Sequence, residues 1–71
     1  MPSIIRTNKL LLEDDKGNTR AVLSVYKAGP RLQLWDKKGK LRATLGMYGD
    51  GEPQLWLRDG TGKWRQPQME Q

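Results

Sequence analysis

Three aspartates stand at matching places in this chain of 71 residues: Asp14, Asp36 and Asp59. Each lies three residues before a glycine (Gly17, Gly39, Gly62) and six before an arginine (Arg20, Arg42, Arg65). Carboxylates at fixed spacing invite a catalytic reading, and Asp14-Asp15-Lys16-Gly17-Asn18 has the outline of a calcium loop. Both readings fail on chemistry. An aspartate that opens a D-x-x-G segment accepts hydrogen bonds from the backbone ahead of it, and the glycine takes the positive φ that closes the turn. The calcium reading lacks alternating acidic ligands and a closing glutamate, since Glu13 precedes the loop instead of ending it. There is no His and no Cys. The commonest acid–base group, the thiol nucleophile and the thiolate metal ligand are therefore all missing, and no nucleophile–base pair can be assembled. The expectation is a protein that is not an enzyme, with no catalytic residue, no metal site and no cofactor.

Recognition is the remaining chemistry. Trp35, Trp56, Tyr26 and Tyr48 interleave with Arg42 and Arg58, a combination that can stack bases and hold phosphates. Exposed tryptophan also stacks on sugar rings. The competing reading is cross-strand packing, or a subunit interface, where Trp, Tyr and Arg are enriched. Charge adds a second signal. The chain carries 13 Lys and Arg against 8 Asp and Glu, a net charge of +5. Between Lys27 and Arg42, six basic residues, including Lys37, Lys38 and Lys40, face Asp36 alone. The remainder balances to zero. A basic tip attracts nucleic acid or another anion, although lysine on an exposed turn is also ordinary solubilising decoration.

The elements that must position these residues are legible as hairpins. The stretch from Arg31 to Tyr48 alternates (Leu32, Leu34), turns at Asp36-Lys37-Lys38-Gly39, and alternates again (Ala43, Leu45, Met47). Leu12, Asp14, Gly17, Arg20, Ala21 and Leu23 match Leu34, Asp36, Gly39, Arg42, Ala43 and Leu45 at an offset of 22. Pro53, Leu55, Leu57, Asp59, Gly62 and Arg65 match Pro30, Leu32, Leu34, Asp36, Gly39 and Arg42 at an offset of 23. Strands are predicted over Ile4–Thr7 (set off by a weak break at Asn8-Lys9, or continuous with the next), Leu10–Glu13, Arg20–Tyr26, Arg31–Trp35, Leu41–Tyr48, Pro53–Arg58 and Lys63–Gln66. Turns fall at Asp14–Thr19, Lys27–Pro30, Asp36–Gly39, Gly49–Gly51 and Asp59–Gly62. No window has a 3.6-residue period, so no helix is predicted, and the longest apolar run, Leu10-Leu11-Leu12, is far too short to span a bilayer. The first six residues read without the apolar core of a signal peptide, and the compartment is left open.

Parity assigns the faces. A four-residue loop at Asp36 pairs Asp36 with Leu41, Leu34 with Ala43 and Leu32 with Leu45, and puts Trp35 opposite Arg42 in cation–π range. The first hairpin follows suit, with Leu12 opposite Ala21 and Leu10 opposite Leu23. One face is then aliphatic: Leu10, Leu12, Leu23, Leu32, Leu34, Leu45, Leu55 and Leu57, with Ala21, Val25, Ala43 and Met47. The other carries the aromatic and arginine side chains. The predicted fold is all-β, an antiparallel meander of five or six strands over residues 1–66, with 67–71 a flexible polar tail. A dozen aliphatic side chains are worth too much apolar area to leave wet. Either the sheet closes into a small barrel, or, the preferred reading, copies of the chain bury the Leu face in a dimer or trimer.

The pattern Leu-x-Leu-x-Asp-x-x-Gly-x-x-Arg-Ala-x-Leu (Leu10 to Leu23, Leu32 to Leu45) resembles tandem β-hairpin repeats of uncharacterised bacterial proteins. The likeness runs from Leu10 to Arg65, and Trp64 and Gln66 depart from it as an end cap would. It implies a hairpin and carries over no functional residue. The expected function is a non-catalytic structural or assembly module. The alternative is a small basic nucleic-acid binder, with Trp35, Trp56, Tyr48, Arg42, Arg58, Lys37, Lys38 and Lys40 as its contact residues. No membrane insertion is expected.

Overall fold

The computed structural model describes residues 3–49 and 51–67. Its six strands are β1 (Lys9–Glu13), β2 (Thr19–Tyr26), β3 (Gly29–Trp35), β4 (Leu41–Tyr48), β5 (Glu52–Arg58) and β6 (Trp64–Arg65). They form one antiparallel sheet in chain order, β1 to β6, which leaves β1 and β6 at the edges and does not close into a barrel. Among the described residues there is no helix, and so none long and apolar enough to cross a membrane.

The register follows the aliphatic alternation. Leu10 faces Leu23, Leu23 faces Leu32, Leu32 faces Leu45 and Leu45 faces Leu55, a row running across five strands. Leu12, Ala21, Leu34, Ala43 and Leu57 make a second row beside it. Slipping any strand by one residue would turn its leucines to the other side, so the pattern pins the pairing.

The expected pairing of Trp35 with Arg42, and of Asp36 with Leu41, is corrected. Trp35 pairs with Leu41, and the register shifts between Leu34 and Trp35. Leu41 and Arg42 together oppose one residue of β3, which is a β-bulge. The same shift between Leu12 and Glu13 leaves Arg20 as the extra residue of β2. The cause is the turn itself. Asp36 donates its N–H to Lys40 C=O (2.9 Å) and accepts from Gly39 N–H (3.1 Å), which fixes a loop one residue out of step with the ladder.

Three boundaries also differ from expectation. Residues 3–7 are not a strand: Val25 N–H bonds to Asn8 C=O at 3.1 Å, and β2 ends one residue later, so nothing remains for Ile4–Thr7 to pair with. Gly29 and Pro30 are strand residues, opposite Tyr26 and Val25, which shrinks that turn to Lys27-Ala28. Pro30 is tolerated because it is the second residue of β3, before pairing with β4 begins at Arg31. The last strand contracts to Trp64–Arg65, and of the expected tail only Pro67 lies within the described residues.

The chain encloses very little. Ala21 and Val22 are its only buried apolar residues among those described, and no large side chain is fully buried. On the aliphatic face Leu12 is 56% exposed, Leu23 49%, Leu45 48% and Val25 61%. The opposite face is the better covered one: Val22, Ser24 and Thr44 are buried there, and Trp35, Tyr48 and Trp56 are half-buried.

Candidate functional site

The three aspartate turns share one backbone hydrogen-bonding pattern and differ in their side-chain partners. Asp36 Oδ1 accepts from the backbone N–H groups of Lys38 (2.9 Å) and Lys40 (3.0 Å), and Oδ2 accepts from Arg42 Nη1 at 3.2 Å. Asp14 holds Lys16 and Asn18 N–H in the same way, with Arg20 3.8 Å from its Oδ2. Asp59 holds Thr61 and Lys63 N–H, the Thr61 hydroxyl at 2.6 Å and Arg65 Nε at 2.9 Å. These bonds favour the ionised carboxylate, so all three acids titrate below the ordinary value of 3.8. For Asp14 the Asn18 backbone N–H is the main cause, for Asp36 that of Lys40, and for Asp59 the Thr61 hydroxyl, which helps hold that group far down. An aspartate whose oxygens are spent in this way is a structural anion. The glycine closing each unit has positive φ: 82° at Gly17, 80° at Gly39 and 87° at Gly62.

The bulged arginines do a second job. Arg42 Nε donates to Arg58 C=O at 2.9 Å, reaching from the start of β4 to the end of β5. Arg20 Nε likewise donates to Trp35 C=O at 3.2 Å, from β2 to the end of β3. The first two turns are thereby fastened to the strand beyond them, and adjacent turns are held side by side at one end of the sheet.

Between the second and third turns this arrangement leaves an open cleft of about 350 Å³, lined by Asp36, Lys37, Lys38, Lys40, Arg42 and Arg58, and floored at Asp59, Gly60 and Gly62. Five of the eight residues expected to contact a ligand thus converge. Trp35, Trp56 and Tyr48 do not join them. Trp35 lines a separate groove with Lys9, Leu11, Val22, Tyr26 and Gln33. Trp56 donates its Nε1–H to Gln54 Oε1 (2.8 Å), and the Tyr48 and Thr44 hydroxyls bond to each other.

Cation–π contacts form, but between partners other than those expected. Arg31 lies between two rings, 4.6 Å from the centre of Tyr26 and 4.2 Å from that of Tyr48, and Arg58 stands 5.7 Å from Trp64. In the sequence Arg31 stands out only as one of the six basic residues between Lys27 and Arg42. Its parity with Gln33 and Trp35 was the available signal, because Tyr26 and Tyr48 sit two residues beyond its neighbours Ser24 and Gly46. Arg31 Nε is buried without a hydrogen-bond partner among the described residues. Gly46 makes this stack possible: a Cβ there would come within 2.8 Å of Arg31 Cα and Pro30 C=O.

The second surface is the aliphatic face. From Leu10 and Leu12 on β1 to Leu55 and Leu57 on β5 its rows contain Leu, Ala, Val, Met and Pro, and no charged side chain interrupts them before Arg65 on β6. No family model matches the chain, and neither does any curated protein or solved structure.

Proposed function

We infer that this protein is a non-catalytic assembly module, and that copies of the chain associate by burying their aliphatic faces against one another. One observation carries the reading: an uncharged face of leucines across five strands is largely exposed, while among the described residues no large side chain is fully buried. A monomeric domain rarely leaves so large a patch in water. The occupant that suits the face is the face itself. Its leucine rows recur at regular strand spacing, so two copies can interdigitate as the halves of a β-sandwich about 10 Å apart, and three can enclose a prism. Six strands spaced by about 4.8 Å and averaging roughly six residues cover an area near 29 by 20 Å. Two such faces bury on the order of 1,100 Å², just under the usual range for specific interfaces of about 1,200–2,000 Å².

Sedimentation at micromolar concentration tests this directly. The expected mass is two or three times 8.2 kDa. Leu34→Asp sharpens the test, because Leu34 is already 42% exposed in the single chain. In a monomer such a substitution would cost about 1 kcal/mol in strand propensity and leave the mass unchanged. In the assembly it places an unpaired charge in the driest part of the interface and should dissociate it. A compact, stable wild-type monomer, with Leu34→Asp indifferent, would refute the assembly.

A further inference from the structure

We propose that the cleft between the second and third aspartate turns binds the sugar–phosphate backbone of single-stranded nucleic acid, with Lys38, Lys40 and Arg58 as principal contacts and no base stacking. The inference is independent of the aliphatic face and concerns the opposite property of the molecule.

Two junctions between neighbouring turns have equivalent positions. Where the first junction has Asp15, Lys16, Asn18 and Trp35, the second has Lys37, Lys38, Lys40 and Arg58. Over all positions equivalent to the cleft lining, the first sets three cations (Lys16, Arg20, Lys37) against three carboxylates (Asp14, Asp15, Asp36), and the second five cations against two. Solubility or turn formation would act alike on both junctions. The third turn, with Gly60, Thr61 and Lys63 at the places of Lys37, Lys38 and Lys40, shows that the fold does not need the extra lysines. The charge is specific to one cleft.

The electrostatics inside the cleft favour an anionic guest. Asp36 and Asp59 line it, but their oxygens are occupied by backbone N–H groups and by Arg42 and Arg65. None of the ion pairs among the described residues involves a lysine. Arg58 is anchored through Nε to Gly62 C=O at 3.1 Å, which directs the rest of its guanidinium at a fixed place. A fixed arginine beside lysines that enter no ion pair among the described residues suits a phosphate, which accepts hydrogen bonds in several directions. Shape selects a strand over a bilayer. The cations line a cleft between turns whose loop residues, Lys37, Lys38, Gly60 and Thr61, offer no apolar side chain to a membrane interface. Because Trp35 and Trp56 lie elsewhere, the guest is gripped by its phosphates and its sequence is not read.

Fluorescence anisotropy with a labelled oligothymidine, at about 20 and about 200 mM salt, is the test. Three or four phosphate contacts imply that this tenfold rise in salt weakens binding roughly hundredfold or more. Lys38→Gln with Lys40→Gln should cost at least tenfold in affinity at low salt. Both residues serve the turn through their backbone N–H, so the fold is kept, and far-ultraviolet circular dichroism of each variant verifies this separately from the assembly. Lys16→Gln with Lys27→Gln removes the same charge outside the cleft and should stay within about threefold of wild type. Equal loss in both pairs would reduce the effect to diffuse attraction and overturn the site. So would absence of binding at low salt, or retention by phosphatidylserine vesicles without oligonucleotide binding, which would make the patch a membrane contact.

Discussion

The aspartates that looked most like chemistry are the residues most fully consumed by architecture. Asp14, Asp36 and Asp59 are bound in their charged form, with folded-state pKa values below 3.8. A depressed carboxylate contributes stability that is complete above its unfolded pKa and fades as pH falls through the folded value. The urea midpoint should therefore be flat above about pH 5 and decline below about pH 4. Asp36→Asn should lower the midpoint at neutral pH and make the acid decline shallower, since one of the three titrating groups is gone. An unchanged pH profile in that variant would mean the turn carboxylates do not control acid stability. Gly46 is a residue-scale requirement of another kind. Gly46→Val should destabilise by about 1–3 kcal/mol, because its Cβ meets backbone of β3 at 2.8 Å. At Gly39, where nothing lies within 4 Å, substitution by Ala costs only the strain of positive φ, about 1 kcal/mol.

At the scale of elements, the hairpin is extended sideways by its arginine. Arg42 ties its own turn through Asp36 and the next strand through Arg58 C=O, so it acts on two hairpins at once. Lysine cannot reproduce a fork that serves a carboxylate and a carbonyl together. Arg42→Lys is expected to cost about 1–2 kcal/mol in denaturant unfolding, while Arg20→Lys should cost less, since its ion pair is looser at 3.8 Å. Equal costs would mean the fastening to the next strand matters more than the turn. Arg65, on the edge strand, spends its Nε on Asp59, and β6 is held correspondingly briefly, by two residues.

For the whole molecule, the two sides of the sheet have divided labour. The side carrying Arg31, Tyr26, Tyr48 and Trp56 satisfies itself with cation–π stacks and side-chain hydrogen bonds. The aliphatic side has no such internal partners and stays exposed. If copies cover it, stability must depend on concentration, because dissociation and unfolding become one event. Thermal midpoints measured over a hundredfold dilution should fall by several degrees in wild type. Constant midpoints would indicate that a single chain is stable without a covered face.

Much of the architecture was written in the chain. Period-two alternation with D-x-x-G punctuation specified an all-β meander and its leucine register, because each strand's faces follow from parity alone. The recurring Asp and Gly mark the turns by composition alone. What the chain withheld was decided by geometry across strands. The bulge that turns Arg42 away from Trp35 arises from the backbone hydrogen bonds of its loop, and no side-chain pattern reports those. The same bulge lets Arg42 reach β5 and helps set Lys38, Lys40 and Arg58 around one cleft, away from Trp35 and Trp56. Arg31 finds its two tyrosines only because Gly46 lets neighbouring strands carry it between them. Periodicity fixes which side of a sheet a residue occupies; only the tertiary structure fixes which neighbour it meets there.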